Sequence, residues 1–311
     1  MYNEVVKKGF LAGVALALIL IATAAALFGC VDDNTGDVPS EPVTPVTKPA
    51  FPFEIVEENG RRYVYLGQVY SEFVGQDVNR VFENLYAAGL LEGSDGIYDY
   101  AGEKYLRVEI GKECAGRTVD GVTFKEGDVA FFKKAPMRFR VASETETEVV
   151  LLSDTIYEYR YFKIPGSQNP SNGNPNNQKP ISDYSASDLR EYLEGEYLSA
   201  LFDEEERSHI TAVSVPTEAE AKSCLTVYGE NPLQFATCPA SDLVALTEGS
   251  ADVHTELGTV ASWWLLGESR EGETGVVDKD GYADSVTVYS RQGVRTLLTV
   301  AKVGGGAEQN A

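Results

Sequence analysis

Residues 137–154 read MRFRVASETETEVVLLSD, and this stretch decides the class of fold. Apolar and polar residues alternate over 137–141, which is the pattern of a β-strand with one buried face. That alternation places Arg138 and Arg140 on the face opposite the apolar residues. The run 148–152 is a second, shorter strand signal and is mostly apolar. The stretch therefore predicts a domain built mainly from strands.

Further strand signals lie on both sides of this stretch. β-Branched and aromatic residues recur in four other short runs, at 62–66, 106–110, 284–289 and 294–300. Residue pairs that favour tight turns punctuate the chain, and they are Asn59-Gly60, Asp95-Gly96, Asp120-Gly121 and Asp280-Gly281. The sequence thus predicts many short strands joined by turns.

Helical signals are fewer and short. Asp77 is predicted to cap a helix that ends near Gly89. The inward face of this helix is expected to hold Val78, Val81, Phe82 and Leu85. A second helix is predicted after Ser187, with an inward face of Leu189, Tyr192 and Leu193. Asp203 is predicted to begin a short acidic third helix.

Strands before and after a central helical pair indicate an α+β domain rather than a doubly wound sheet. With 311 residues, 43% of them hydrophobic and 24% charged, the chain has the composition of a globular protein. Its interpreted parts are a signal segment over 1–29, a proline-rich acidic tether over 30–50, a single domain over 51–303 and a flexible tail over 304–311. The composition of the Asn- and Pro-rich stretch 166–181 indicates either a domain boundary or a long surface loop; a loop inserted in that domain is what the family resemblance given below implies.

The charge balance narrows the classes of partner. The chain has 26 basic and 48 acidic residues, a formal net charge of −22. Nucleic acid and anionic membrane surfaces would repel such a chain, so no nucleic-acid partner is expected. Two histidines and four cysteines are too few for a Cys/His zinc cluster, and they disfavour a histidine-based catalytic triad.

The N-terminal residues predict export. Lys7 and Lys8 precede an uncharged apolar run over 9–28, which ends in Leu27-Phe28-Gly29-Cys30. This ending resembles the lipobox of bacterial lipoproteins. The resemblance implies that Cys30 is acylated and becomes the mature N-terminus, so that the protein is anchored to the membrane by lipid on its outer side. The alternatives are an uncleaved anchor helix and ordinary secretion.

Several motifs occur in order along the rest of the chain: YVYLG at 63–67, YDYAGEKY at 98–105, VVLLSD at 149–154, SDLREYL at 187–193, SWWLL at 262–266 and GVRTL at 293–297. This ordered set resembles an uncharacterised domain family of bacterial surface proteins and lipoproteins whose members end in WWLR and GVRPAL motifs. The ending is similar to that of C-type-lectin-like folds. The resemblance implies a lectin-like domain of small twisted antiparallel sheets, two or three short helices and long loops. Leu266 and Thr296 depart from the pattern of the family.

Three residues of these late motifs are candidates for ligand binding. Trp263 and Trp264 are the only tryptophans, and paired aromatic rings can stack on sugars. Consecutive strand residues point to opposite faces, so only one of the two could contact a ligand; packing of both in the core is the favoured alternative. Arg295 is interpreted as a buried, hydrogen-bonded structural residue, with a ligand carboxylate as the alternative partner.

Two further constellations are weaker. Asp278, Asp280 and Asp284 could offer oxygens to calcium, although a hairpin turn is the favoured interpretation and no metal or other cofactor is expected. Cys224 and Cys238 are a candidate disulfide, which an exported protein permits, and Cys114 would then be free and buried. His209 and His254 are interpreted as surface residues.

These observations favour a lipoprotein that displays a binding module, not an enzyme. One expected partner is the membrane, which the protein would contact through the lipid. The other is a ligand, which could be a glycan, a peptide, a cell-wall component or a surface protein. One alternative is an envelope enzyme such as a carboxylate-based hydrolase. The other alternative is a purely structural component of the envelope.

Overall fold

The structure is a computed structural model that describes residues 50–166, 182–224, 237–254, 258–267 and 270–303. The chain divides into two compact units, Met1–Pro45 and Val46–Ala311, and every described residue lies in the second unit. Within the described part, no helix is long and apolar enough to cross a membrane.

Several sequence-based interpretations concern other parts of the chain. The signal segment 1–29 with Cys30, the tether up to residue 49 and the tail 304–311 lie outside the described residues. The same holds for residues 167–181 of the inserted loop. These interpretations stay predictions.

Strands make up most of the regular structure. In chain order they are β1 (Val56–Glu58), β2 (Arg61–Phe73), β3 (Glu92–Ser94), β4 (Ile97–Tyr100), β5 (Glu103–Glu109), β6 (Thr118–Val119), β7 (Val122–Thr123), β8 (Val129–Glu144), β9 (Glu148–Ser153), β10 (Tyr159–Tyr161), β11 (Ile210–Ser214), β12 (Cys238–Pro239), β13 (Asp252–His254), β14 (Gly258–Ala261), β15 (Trp263–Leu265), β16 (Glu273–Val277), β17 (Ala283–Thr287), β18 (Arg291–Gly293) and β19 (Leu297–Ala301).

The helices are short. The α-helices are α1 (Gln76–Ala87), α2 (Asp188–Tyr192), α3 (Leu198–Leu201), α4 (Glu204–His209), α5 (Glu218–Cys224) and α6 (Asp242–Thr247). Two 3₁₀ turns cover Lys112–Cys114 and Tyr184–Ala186. A π-helical turn over Leu193–Tyr197 joins α2 to α3.

A nine-stranded sheet forms the centre of the domain. Seven of its strands follow the order β11-β19-β9-β8-β5-β4-β3, and β2 pairs with β8 and carries β1. The smaller sheets have the orders β10-β18-β15-β16-β17, β12-β14-β13 and β6-β7. The pair β15–β18 is parallel, whereas the strands of the central sheet pair in antiparallel fashion.

The predicted α+β class is confirmed. The expectation of small sheets only and of two or three helices is wrong, because the described residues contain the large central sheet and six α-helices. The cause is β8, which is 16 residues long. Its length lets it pair with β2, β5 and β9, so that nine of the described strands join a single sheet.

The central sheet is covered on both faces. Leu151 and Leu298 belong to one core, named the first core, which also contains Phe162 and Leu193. Their neighbours Leu152 and Leu297 belong to the other, the second core. A strand buried on both faces needs apolar residues without alternation, which explains the continuous apolar run at 149–152.

Helix α1 turns only part of its predicted face inward, since Phe82 is buried and Leu85 half-buried as predicted. Val78 and Val81 are exposed, whereas Asn79 and Phe82 are buried. The Asn79 side chain donates from Nδ2 to the Val129 carbonyl at 2.9 Å and accepts from the Phe131 N–H at 2.8 Å. These bonds to β8 rotate the helix away from its apolar stripe. Its cap is Gly75 rather than Asp77.

The other two predicted caps are confirmed. The Ser187 hydroxyl accepts from the Arg190 N–H at 3.0 Å at the start of α2. Asp203 and Glu206 form a capping box at the start of α4. Each helix therefore begins where the sequence predicts.

The two ends of the described domain meet. The Ala50 N–H donates to the Val303 carbonyl at 3.0 Å, and the Val303 N–H donates to the Ala50 carbonyl at 2.8 Å. Val303 directly follows β19, which lies between β11 and β9 inside the central sheet. The first and last described residues are thus hydrogen-bonded neighbours.

Candidate functional site

A cleft of about 660 Å³ opens between β10, α2, the π-helical turn and Arg291 of β18. Tyr159, Tyr161 and Tyr192 contribute aromatic side chains to its wall, and Arg160 and Arg291 contribute guanidinium groups. We name it the tyrosine cleft after its three tyrosines. A concave, partly aromatic surface of this size can accommodate a small ligand.

Hydrogen bonds to the neighbouring strands fix the position of β10. It pairs with β18, so that Tyr161 lies opposite Arg291. The indole N–H of Trp264 donates to the Arg160 carbonyl at 2.9 Å. Just beyond β10, the buried Lys163 ammonium binds Asp188 Oδ1 at 2.9 Å, which ties the strand to the start of α2. The floor of the cleft is therefore rigidly held.

The π-helical turn shapes the opposite wall. Leu193 and Tyr197 point into the protein, while Gly195 and Glu196 line the cleft. A π-turn accommodates an extra residue between two α-helical segments, and such turns are frequent at functional sites because they are retained in spite of their weaker geometry. Here the turn contributes Gly195 and Glu196 to the wall of the cleft.

Glu158 lies beside the cleft and binds two of its residues. Its Oε2 accepts from the Tyr192 hydroxyl at 2.7 Å and from Arg160 Nε at 3.0 Å. The Arg160 guanidinium also stacks 3.8 Å from the centre of the Tyr192 ring. The second oxygen, Oε1, is buried and has no hydrogen-bond partner among the described residues. This carboxyl therefore keeps one acceptor position unused.

Burial raises the pKa of the Glu158 carboxyl above its ordinary value. The hydrogen bond from Tyr192 and the charge of Arg160 oppose this rise in pKa, and the nearby Glu196 adds to it. Burial likewise raises the pKa of the Tyr159 hydroxyl to about 12, and this hydroxyl is protonated at neutral pH. The cleft thus combines a carboxyl with an altered proton affinity, phenols and fixed cations.

The two tryptophans lie in different cores. Trp264 packs in the first core against Phe162, with the ring centroids 5.6 Å apart, and Trp263 packs in the second core. The prediction that the two side chains point to opposite faces is confirmed. Both are completely buried, so neither ring has a face open to a ligand in this structure, and neither lines the tyrosine cleft.

Arg295 is also buried and takes part in an ionic cluster. Its Nε donates to the Ser153 carbonyl at 2.8 Å, and its guanidinium lies 5.1 Å from the Trp263 ring centre and 3.9 Å from Asp154. Arg138 and Arg140 bind the two oxygens of Asp154 at 2.6 and 2.7 Å. The carboxylate next to Arg295 therefore comes from the chain itself rather than from a ligand.

The weak calcium candidates do not form a metal site in this structure. Among the described residues, no group of three or more His, Cys, Asp or Glu side chains is placed to hold a metal ion. The Asp278 carboxylate instead accepts from the N–H groups of Asp280 and Tyr282 at 2.9 and 2.8 Å. Asp284 lies on the following strand, β17. The segment is the turn of a β16–β17 hairpin.

Cys238 is a free, buried cysteine in the structure, and burial raises the pKa of its thiol to about 11. The side chain of Cys224 lies outside the described residues. The disulfide between them therefore stays a prediction. Cys114 is free and buried, as expected. His209 is half-buried and packs edge-on against Phe53, whereas the side chain of His254 is outside the described residues.

Sequence reasoning did not find the tyrosine cleft. Its strand belongs to the run YEYRYF at 157–162, in which tyrosines alternate with charged residues. That alternation was a usable signal, since it places aromatic and charged side chains on neighbouring positions of one short strand. The partners on α2 and β18 lie roughly 30 and 130 residues later, where no local pattern connects them.

One of the comparisons with known proteins finds a match. Residues 147–237 match the family model described as a domain of unknown function, DUF6273. The matched range includes Glu158, Arg160 and Tyr192, whereas Arg291 lies beyond it. No curated protein and no solved structure matches the chain. Residues 147–237 are thus similar to a domain family of unknown function.

Proposed function

We propose that the chain is a lipid-anchored extracytoplasmic protein whose tyrosine cleft binds a glycan-type ligand. The observation that carries the proposal is the composition of the cleft wall. Tyr161 and Tyr192 alternate with the guanidinium groups of Arg160 and Arg291, and carboxylates of α2 and the π-turn complete the rim. Sugars present apolar ring faces and hydroxyls that both donate and accept hydrogen bonds, and such a wall complements both.

The anchoring part of the proposal rests on the sequence. The ending Leu27-Phe28-Gly29-Cys30 supports acylation of Cys30, and the lectin-like resemblance of the motifs at 262–266 and 293–297 supports a recognition module. Cells fed labelled palmitate should label the wild-type chain and not Cys30→Ala. Label that persists in the variant would refute the lipoprotein assignment.

A glycan array probed with the full chain tests the ligand. We expect binding that is at least tenfold weaker in Tyr161→Ala, because this substitution removes an aromatic wall of the cleft. Tyr282→Ala is the matched control, since Tyr282 is exposed on the β16–β17 hairpin, and it should bind as the wild type does. Equal binding by both variants would exclude the cleft as the site. Absence of binding by the wild type would favour a protein partner or a structural role in the envelope.

A second candidate function is that of a carboxylate-based hydrolase. One observation favours it, namely the raised pKa of Glu158 beside a second carboxylate, Glu196. A carboxyl that holds its proton at higher pH is suited to act as a general acid on a glycosidic oxygen. If the wild type cleaves any array ligand and Glu158→Gln binds it without cleavage, the protein is an enzyme; intact ligand after prolonged incubation supports the binding module.

A further inference from the structure

Two carboxylates at the tyrosine cleft have no basic partner. Glu191 belongs to α2 and Glu196 to the π-helical turn, and both side chains are exposed and line the cleft. Neither carboxylate makes a hydrogen bond or an ion pair among the described residues. Their charge acts on the cleft, since Glu196 contributes to the raised pKa of Glu158. Both carboxylates are therefore available to a ligand.

The cations at the cleft are, by contrast, each paired with a carboxylate of the chain. The pairs are Arg160 with Glu158 at 3.0 Å, Arg291 with Glu248 at 2.7 Å, and Lys163 with Asp188 at 2.9 Å. Pairing cancels these three positive charges against three negative ones. The two unpaired carboxylates then leave the cleft with a surplus of negative charge.

The aromatic wall favours a ligand of positive charge as well. The face of a tyrosine ring carries partial negative charge and attracts cations. The chain already uses this attraction, because the Arg160 guanidinium lies 3.8 Å from the centre of the Tyr192 ring. Tyr161 is only half-buried, so part of its side chain is left for a ligand.

The backbone beside Glu196 is open. Gly195 lines the cleft, and a Cβ atom built on it would meet no atom within 4 Å. A ligand can therefore approach this part of the wall without displacing a side chain, and a larger residue at position 195 would occupy the same space without a clash at its Cβ.

We propose that the ligand of the tyrosine cleft carries protonated amines, which for a glycan means amino sugars whose nitrogen is not acylated. The inference rests on the proposed function, which assigns a glycan-type ligand to this cleft. A neutral sugar could stack on the rings, but it would leave Glu191 and Glu196 without a positive partner. An ammonium group donates three hydrogen bonds, so it can bind a carboxylate while it lies against a tyrosine ring. The net charge of −22 also favours the approach of a cation.

Calorimetric titration of the full chain with three β-1,4-linked tetrasaccharides tests the inference. The three are the tetramers of glucosamine, N-acetylglucosamine and glucose, of which only the first is cationic at mildly acidic pH. We expect the glucosamine tetramer to bind roughly tenfold more tightly than the two neutral ones. Added salt should reduce this difference, because it screens the charges of exposed groups.

Variants assign the preference to the two carboxylates. Glu191→Gln/Glu196→Gln should bind the glucosamine tetramer roughly tenfold more weakly and the neutral tetramers almost as the wild type does. Glu126→Gln/Glu204→Gln removes the same charge from exposed positions elsewhere and should keep the preference. Gly195→Leu should weaken the binding of all three tetramers, because its side chain occupies the cleft. Thermal unfolding of each variant controls for loss of the fold.

The outcomes separate this inference from the proposed function. Equal binding of the three tetramers, with loss in Tyr161→Ala, would overturn the inference and leave glycan binding in the cleft intact. An equal loss of the preference in the two double variants would also overturn it, because the attraction would then come from the acidic chain as a whole. No binding of any tetramer would count against both.

Discussion

Asp154 and Glu158 lie four residues apart on one segment, and both are acidic groups bound by arginine, but their surroundings differ. Both oxygens of Asp154 are bound by guanidinium groups, and a third guanidinium lies within 3.9 Å. Glu158 uses one oxygen for Arg160 and Tyr192 and leaves the other without a hydrogen-bond partner among the described residues. The first group is saturated by the protein itself, whereas the second keeps one buried oxygen without a hydrogen-bond partner among the described residues.

The comparison shows how a carboxylate whose two oxygens are both bonded can be distinguished from one that keeps an oxygen unpaired. A carboxyl group and an arginine neighbour are common to both, so neither feature distinguishes them. The number of satisfied oxygens does, together with the proximity of an open cleft. Buried polar groups are normally paired, and an exception therefore indicates either a ligand position or a cost that the fold carries.

The largest expected effect comes from removing the saturated carboxylate. Asp154→Ala leaves three buried or half-buried guanidinium groups without their common partner, so the free energy of unfolding should fall by about 3–5 kcal/mol. Urea unfolding followed by fluorescence of the buried tryptophans measures it. Asp284→Ala, on the exposed strand β17, should change stability by less than about 0.5 kcal/mol. Equal stabilities of the two variants would remove the distinction drawn above.

A smaller effect is expected for Tyr192→Phe. The substitution removes a hydroxyl that donates to Glu158 at 2.7 Å, so stability should fall by roughly 1–2 kcal/mol. In a double-mutant cycle with Glu158→Gln, the two losses should be less than additive because they share this bond. Strict additivity would mean that the hydroxyl acts independently of Glu158.

The pH dependence of stability tests Glu158 directly. Its pKa is raised in the folded state, so the native carboxyl holds its proton at pH values where the unfolded one has lost it. The native state then binds more protons, and the free energy of unfolding falls as the pH rises from the ordinary carboxyl pKa through the raised one. The group carries no such penalty at lower pH.

Glu158→Gln removes this titration. The stability of the variant relative to the wild type should therefore increase as the pH rises from the ordinary carboxyl pKa through the raised one. Exposed Glu126→Gln controls for the loss of one carboxylate from an acidic chain. A constant difference across this range would show that Glu158 titrates normally.

The smallest expected effect is that of Glu196→Gln. Glu196 is exposed on the π-helical turn and raises the pKa of Glu158 through its charge. The substitution should change stability by less than about 0.5 kcal/mol and reduce the pH dependence that Glu158 contributes. Thermal unfolding at pH values below and above this transition measures both, and an increased pH dependence would contradict the proposed repulsion.

Local features of the fold were predictable from the sequence. The strands around 137–141 and 148–152 and the caps at Ser187 and Asp203 depend on neighbouring residues, and all of them are confirmed. The inward face of α1 was only partly predictable. Its orientation depends on the two hydrogen bonds between Asn79 and β8, which lies about 50 residues further along the chain.

The candidate site illustrates the same limit. The tyrosine cleft joins β10, α2 and β18, so its existence depends on sheet order and helix packing rather than on any one motif. The tryptophan motif attracted the sequence-based interpretation because it is conspicuous. Trp264 does not line the cleft. Its indole N–H instead donates to the carbonyl of Arg160, which does line the cleft.

Because Ala50 pairs with Val303, the first and last described residues are close enough for a circular permutation of the domain. A short linker would join these two residues, and new ends would be opened at a surface turn such as Asn59-Gly60, so that no strand is removed. The permutation would, however, separate β1 from β2 in sequence. A pull on residue 50 is also transmitted to the end of β19, which is an inner strand of the central sheet next to its edge strand β11.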